Sequence, residues 1–444
     1  MLRVTSIFSL ICLSFSVFAQ EAERTLTFSE AVKIALENNI TLKQQANQQY
    51  VNQAQKNSSM ARVAPNVSAI AQGWQVQGNQ FIEQEARVVN DAQTKNFYGS
   101  VDASMVLFNG FNRLNGIRMA NADLDAQQYL VNRTRQDVIT NVSNQYLQCL
   151  LDQELIQIAE EDVKNQQNQL NQITEMVNSG ARAKVDQFNQ EAQVKSAELV
   201  LLRAEIRLRR DKTLLAQTLL LDPATPLKLQ QPSWSLDAND LDASNLENLY
   251  STALESRGDY LRAEKNVESS KRGMSVSKTS FMPSLAGFAS LNSRYSDASI
   301  PEFSSQMNDN QRTEFGLRLS IPIFNGMQNN VTFVRSRVNY DNAKLNLENA
   351  EITVKADVLN AHQSYKDATL NYEASKAQLD AAKLSFDLEQ ERYQLGVSDF
   401  VAFSQANQTY VRAKGDFAQA SYTLLFQDIL LQYATGTLTE EDIE

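Results

Sequence analysis

Two stretches of 69 residues, Phe111–Ser179 and Met327–Leu395, contain no proline, and Gly116 is the one glycine between them. About 70 helical residues rising ~1.5 Å each make a rod on the order of 100 Å long. Each stretch begins straight after the same triplet, Phe108-Asn109-Gly110 and Phe324-Asn325-Gly326. Each triplet in turn closes an alternating segment. Phe97, Val101, Ala103, Met105 and Leu107 alternate with Tyr98, Ser100, Asp102 and Ser104; Phe315, Leu317, Leu319, Ile321 and Ile323 alternate with Glu314, Gly316, Arg318 and Ser320. That period of two gives a strand one apolar and one polar face. A half-exposed strand running into a very long helix, twice, is what any fold must accommodate.

The rest of the chain falls into the same doubled order. A helix opens near Ser29, read as its N-cap, breaks near Asn38-Asn39 and ends at Pro65. A strand over Asn66–Gln77 follows, with Ile70, Trp74 and Val76 on one face, then a polar loop from Gly78 to Asn96. After the first rod, Gly180 ends the helix, and Lys184–Leu221 returns as an antiparallel partner. In the second half Pro283 echoes Pro65 at an offset of 218, and Gly326 and Gly396 echo Gly110 and Gly180 at 216. Leu285, Ala289 and Leu291 alternate with Ser284, Ser290, Asn292 and Arg294, and a polar loop spans Ser296–Gln311. The second rod turns at Gln394–Ser398 and returns over Asp399–Tyr433. The domains are therefore residues 1–19 as a signal peptide, 20–221 as a first repeat, 222–244 as a linker, 245–436 as a second repeat and 437–444 as an acidic tail.

Arg3, the apolar run Ile7–Phe18 and the small-residue site Val17-Phe18-Ala19 carry the signal reading, and the run is too short to span a bilayer. Cys12 leaves with it, so Cys149 stands alone and is read as a buried structural thiol rather than a reactive one. The net charge of −11, with no basic patch interleaved with aromatics, argues against nucleic acid as a partner. A lone histidine, His362, must serve every proposed triad or metal site, so neither catalysis nor a cofactor nor a metal is expected. Within the second rod Val338, Leu345, Ile352 and Leu359 recur every seventh residue, a coiled-coil spacing.

Four strands with one apolar face cannot span a membrane alone, because two edges would present unpaired backbone groups to lipid. They must close by oligomerising. Three copies give a twelve-stranded barrel, and strand number by itself also permits two or four. The expectation is a mixed α and β membrane protein: a trimeric twelve-stranded β-barrel, four strands per chain, continuous with a long α-helical barrel of coiled-coil hairpins. Its inward faces would carry Asp102, Arg294, Glu314 and Arg318.

Leu26-Thr-Phe-Ser-Glu-Ala-Val-Lys-Ile-Ala-Leu-Glu-Asn-Asn39, the paired Leu107-Phe-Asn-Gly110 and Ile323-Phe-Asn-Gly326, Pro65 with Pro283 and the turns at Gly180 and Gly396 together resemble the TolC family of outer-membrane efflux proteins. The resemblance covers the whole mature chain. It implies a homotrimer in the outer membrane of a Gram-negative-type cell, acting as exit duct for an inner-membrane transporter joined by a periplasmic adaptor. It places adaptor docking at Gly180-Ala181-Arg182 and Gly396-Val397-Ser398. Asp186 and Tyr393 fall where the family's hydrogen bonds hold the periplasmic end shut. Ser398 stands where some members carry an arginine partner. Ala402 and Gln405 replace rings of aspartate known from relatives, so no cation-binding constriction is expected there unless Asp399 takes over; the gate is sought among Asp186, Tyr393, Asp399 and Gln405. Beside these stand plainer readings: Asp186 as a first-turn helix acid, Arg182 as a solvated cation, and pore-wall charges that merely keep a lumen wet. The rival functions are a periplasmic adaptor with a helical hairpin, and an enzyme or binding domain on a soluble coiled coil.

Overall fold

The computed structural model describes residues 24–82, 86–231 and 245–440. The expected signal peptide, Pro232 and Trp234 of the linker and residues 441–444 of the tail lie outside these. The first half runs β1 (Arg24–Leu26), α1 (Phe28–Asn38), α2 (Ile40–Ala61), β2 (Asn66–Ile82), β3 (Arg87–Phe108), α3 (Asn112–Asn178) and α4 (Lys184–Thr218). The second runs β4 (Leu227–Leu229), α5 (Leu246–Ser256), α6 (Gly258–Lys278), β5 (Ser284–Ser296), α7 (Phe303–Asp309), β6 (Arg312–Ser320), α8 (Gln328–Gln394) and α9 (Phe400–Thr435). The two rods α3 and α8 are 67 residues each.

β2, β3, β5 and β6 form one antiparallel sheet in that order, so β2 and β6 are free edges within the chain. The helices leaving these strands keep the same order: α2 packs on α3, α3 on α6 and α6 on α8. Below them α4 lies against α3, and α9 against both α3 and α8. The chain is therefore a slab one layer thick, with β2, α2 and α4 along one edge and β6 and α8 along the other.

The strand-to-rod junctions explain the repeated triplet. Gly110 and Phe111 have φ of 63° and 68°, and Gly326 and Met327 have 62° and 66°. Two successive left-handed residues turn the chain sharply from strand to helix, and glycine takes the first without steric cost. Asn109 and Asn325 each offer a carbonyl to the opening turn, to the amides of Asn112 and Gln328. Asn112 then donates to Thr279 Oγ1 (2.8 Å) and Asn329 to the Ser280 carbonyl (2.7 Å), tying each rod to the end of α6.

Several boundaries differ from the sequence reading. The N-cap of α1 is Thr27, not Ser29: Thr27 and Glu30 form a reciprocal capping box. The expected loop over Gly78–Asn96 is mostly strand, because β2 and β3 pair beyond a bulge at Gly78/Gln80 out to Ile82 and Arg87. The Ser296–Gln311 loop contains α7. The linker contributes β4, which pairs in parallel with β1.

The main core lies midway along the rods. Leu26, Phe28, Ala31, Val32 and Ala35 bury against Val138, Ile139, Val142 and Tyr146 of α3. Tyr146 donates its hydroxyl to the carbonyls of Leu26 (2.9 Å) and Gln230 (2.6 Å), strapping the small sheet to the rod. Cys149 is fully buried there, and burial pushes its thiol up to about 12. The tail also docks: Leu438 is buried, and Gln136 donates to its carbonyl (3.3 Å).

Candidate functional site

Sheet register sorts the strand residues into two faces. On one, Val67, Ala103, Ala289 and Phe315 lie side by side, with Val101 and Leu291 above and Gly287 and Leu317 below. This face is apolar, and Phe315, Leu317 and Leu319 stand exposed on the β6 edge. On the other, Ser68, Asp102, Ser290 and Glu314 form one row across all four strands. Asp102 accepts from Ser290 (2.6 Å) and Ser100 (2.7 Å), which fixes its carboxylate along the row. Arg294 belongs to the same face, as does Arg318, whose guanidinium lies 5.3 Å from the Phe288 ring centroid. All four expected lumen residues thus share the polar face. Ile70, Trp74 and Val76 do too, opposite Ser100, Asn96 and Thr94. They share one face, as expected, and it is the polar one: β2 carries alanine and valine outward, and these large residues point to the polar side.

At the far end of the rods both hairpins turn through Schellman caps. The Ala181 amide donates to Met176 O (2.8 Å) around Gly180, and Val397 to Arg392 O (2.9 Å) around Gly396. Between the turns an aromatic ladder climbs α8 and α9. Tyr410 stacks on Phe386 (5.3 Å between centroids), Phe386 meets Phe403 (6.0 Å), and Phe403 stacks on Tyr393 (5.0 Å). The Arg182 guanidinium, from the other hairpin, caps the ladder 4.6 Å from the Tyr393 centroid. Ile173 and Phe400 complete the plug. Arg182 is half-buried and engaged by an aromatic face, rather than simply solvated.

The expected gate residues divide. The Tyr393 ring is 2 % exposed, and its buried hydroxyl makes no well-formed hydrogen bond among the described residues, with the Gln169 side chain near it. Burial pushes its phenol above the ordinary value; Arg182 opposes this and Asp186 adds to it. Asp186 is therefore within electrostatic reach of Tyr393 but unbonded to it, in the first turn of α4. Asp399 caps α9, accepting from the Ala402 amide (2.8 Å). Ser398 bonds to Glu389, which also pairs with Arg392 (3.0 Å). Gln405 lines a groove of about 690 Å³ between α4 and α9, shared with Asn189, Gln193, Val401 and Arg412. Gln408 reaches Gln193 across it (3.3 Å), and Asn407 reaches Asp162 of α3 (3.2 Å).

Two buried polar clusters escaped the sequence reading. Arg257, 2 % exposed, pairs with Asp259 (2.6 Å) and Asp357 (2.9 Å) and donates to Ala434 O (3.3 Å). Arg133 lies 3.7 Å over the Tyr433 ring, whose hydroxyl donates to Asp137 (2.7 Å). Between α3 and α4 Asp152, 1 % exposed, faces Asp211, and its Oδ2 has no donor among the described residues. Burial first, then Asp211, raises Asp152 to about 6. Their residue types are ordinary for helices, so no local pattern announces them. Among the described residues no three His, Cys, Asp or Glu side chains converge as a metal set, and His362 sits half-buried in mid-α8.

The match that decides the family covers both halves of the chain. The model of outer membrane efflux proteins fits residues 31–219 and again 249–437. The chain belongs to the outer membrane efflux protein family. This outer membrane efflux protein is a channel-type transporter of the TolC kind, placed in the outer membrane and reaching into the periplasm. Its family is one of channels rather than enzymes, and the periplasmic-adaptor reading is not favoured. Solved structures share the fold. The CmeC outer membrane channel of Campylobacter jejuni aligns with TM-score 0.80 at 17% identity, over 94% of this chain and 88% of that one. The outer membrane protein VceC of Vibrio cholerae gives 0.79 at 13%, over 92% and 96%. The MtrE channel of Neisseria gonorrhoeae, solved in its open state, gives 0.76 at 19%, over 93% and 91%. No curated protein matches the chain by sequence.

Proposed function

We propose that three copies of this efflux protein close into one continuous duct, twelve strands above and twelve helical rods below, built from two duplicated halves per chain. The observation that carries it is the slab itself, with sheet edges β2 and β6 unpaired and their helices in the same order. Joining β6 of one copy to β2 of the next satisfies both edges and leaves the apolar face to lipid. The row Ser68–Asp102–Ser290–Glu314 then lines water, with Arg294 and Arg318. The duct is passive. It would be the outer component of a tripartite efflux or type I secretion assembly, supplied by an inner-membrane transporter through a periplasmic adaptor. The adaptor would dock at Gly180-Ala181-Arg182 and Gly396-Val397-Ser398, beside the groove holding Gln405. The resting gate is the tip plug, with Tyr393 and Arg182 at its centre, Asp186 in reach and Asp399 anchoring α9. Adaptor contact that favours splayed hairpins would open it.

The test is conductance of the purified protein in planar lipid, with its mass in detergent measured alongside. Discrete pores from a species of three chains are expected. A stable monomer that forms no pores would overturn the reading.

A further inference from the structure

The β5–β6 connection does not simply extend away from the sheet. α7 folds back onto the sheet's apolar face. Phe303 packs edge-on against Phe97 (5.5 Å) and Tyr295 (5.0 Å), which are neighbours in the register. A Cβ on Gly99 would meet the Met307 methyl at 3.9 Å, and Ser293 donates to Met307 O (2.6 Å). Phe97, Gly99, Ser293 and Tyr295 all belong to the face that carries Val101, Leu291 and Leu317. Gln306 locks the fold-back, donating to the carbonyls of Ser296 (2.9 Å) and Pro301 (2.6 Å) and accepting from the Ser296 amide (3.1 Å).

This arrangement leaves a large apolar side chain outside contact with the described residues. Ile300 is 102% exposed at the mouth of α7, and Phe303 is 48% exposed despite its two aromatic partners. Lys95, exposed on the same face, lies one row beyond Phe97. Position along the strand supplies the rest. Ten residues carry β3 from Phe97 to Leu107, next to its last residue Phe108. At ~3.3 Å per residue and a tilt of about 40° they span about 25 Å of height, the depth of a barrel's apolar band. The opposite margin is marked by Phe108 and Phe111, in edge contact at 5.7 Å, and by Phe324.

We propose that α7 with Ile300 is a membrane-interface foot, which rests on the outer wall and seats Ile300 and Phe303 at the acyl–headgroup boundary of the outer leaflet, with Lys95 against lipid phosphate. It rests on the barrel reading above. An amphipathic surface of this kind is stable at that depth, where its apolar side meets chains and its polar side meets headgroups. The foot sets how deeply the barrel sits, and so the level at which the polar lumen opens to the exterior.

The experiment labels Ile300→Cys with an environment-sensitive fluorophore in the full-length protein, reconstituted in vesicles. Lipids carry a quencher either near the headgroup or deep in the acyl chain. Cys149 is fully buried, and unaltered protein controls for its labelling. Leu317→Cys, on the same face in mid-β6, reports the barrel wall. The foot predicts loss of emission from Ile300→Cys with the shallow quencher and retention with the deep one, and the reverse order for Leu317→Cys. Leu317→Cys quenched with Ile300→Cys untouched, or quenched most by the deep lipid, overturns the foot and keeps the barrel. Neither label quenched overturns both.

Discussion

Asp152 sits in the helical core, where its carboxyl keeps its proton to a higher pH than it would in water. Its folded value of about 6 lies above the ordinary 3.8. Below about pH 4 both folded and unfolded chains hold the proton. Between pH 4 and 6 only the unfolded chain releases it, so stability falls across that window and stays low above it. Two units correspond to about 3 kcal/mol. Asp152→Asn keeps the shape, donates to Asp211 and removes the loss. It should raise the melting temperature at pH 7.5 and lose that advantage by pH 4; an equal gain at both would refute the account. The two junction glycines make a second residue-scale contrast. Both have positive φ, so alanine costs ~1–2 kcal/mol at either. A Cβ at Gly110 would also fall 2.6 Å from Met282 Sδ, whereas Gly326 has open space. Gly110→Ala should therefore lower the melting temperature more than Gly326→Ala, measured in parallel by circular dichroism.

At the scale of elements, the tip plug separates ring packing from hydroxyl bonding. The Tyr393 hydroxyl makes no well-formed hydrogen bond among the described residues, Gln169 being the side chain that comes near it, so phenylalanine loses at most a weak bond. Tyr393→Phe should leave the closed conductance as small as in the unaltered protein. Phe403→Ala removes the rung that stacks on Tyr393, at ~3–5 kcal/mol of local packing, and should give larger, noisier openings. The opposite ranking would restore a hydrogen-bonded gate centred on Tyr393 and Asp186. The rods were legible because freedom from glycine and proline is a local property, and the Phe-Asn-Gly turns because positive φ has a residue signature. The side of the sheet that Ile70, Trp74 and Val76 occupy was not: their shared face is legible, but only the register with β3 sets it beside Ser100, Asn96 and Thr94. α7 was hidden for a similar reason, since seven residues hold their place through distant Phe97, Tyr295 and Ser293 and through the Gln306 bonds to Ser296 and Pro301. Asp186, Tyr393 and Arg182 do fall near one another, yet the aromatic ladder between them has no sequence motif.

For the whole molecule, the decisive property is that one chain leaves both of its edges apolar. Val338, Leu345 and Ile352 stand 49%, 62% and 62% exposed along α8, and Leu199, Leu202 and Ile206 are open along α4. Monomeric proteins rarely tolerate such stripes, and these lie on opposite sides of the slab. A ring that apposes the α8 edge to the α2–α4 edge of the next copy covers both, and it continues the closure demanded by β2 and β6. Burying Leu345 and Ile352 contributes ~3–6 kcal/mol at each interface, and a closed ring gains that at every one. Because neither side chain belongs to a core cluster of its own chain, Leu345→Glu with Ile352→Glu should leave helical content intact. The assembly, however, should fall apart. Sedimentation in detergent should show three chains for the unaltered protein and one for the double variant, and pores should vanish with the larger species. A mass of two or four chains in the unaltered protein would change the barrel to eight or sixteen strands. A double variant that still sediments as the unaltered oligomer would mean that the stripe on α8 faces lumen or periplasm, and that the ring closes through the sheet alone.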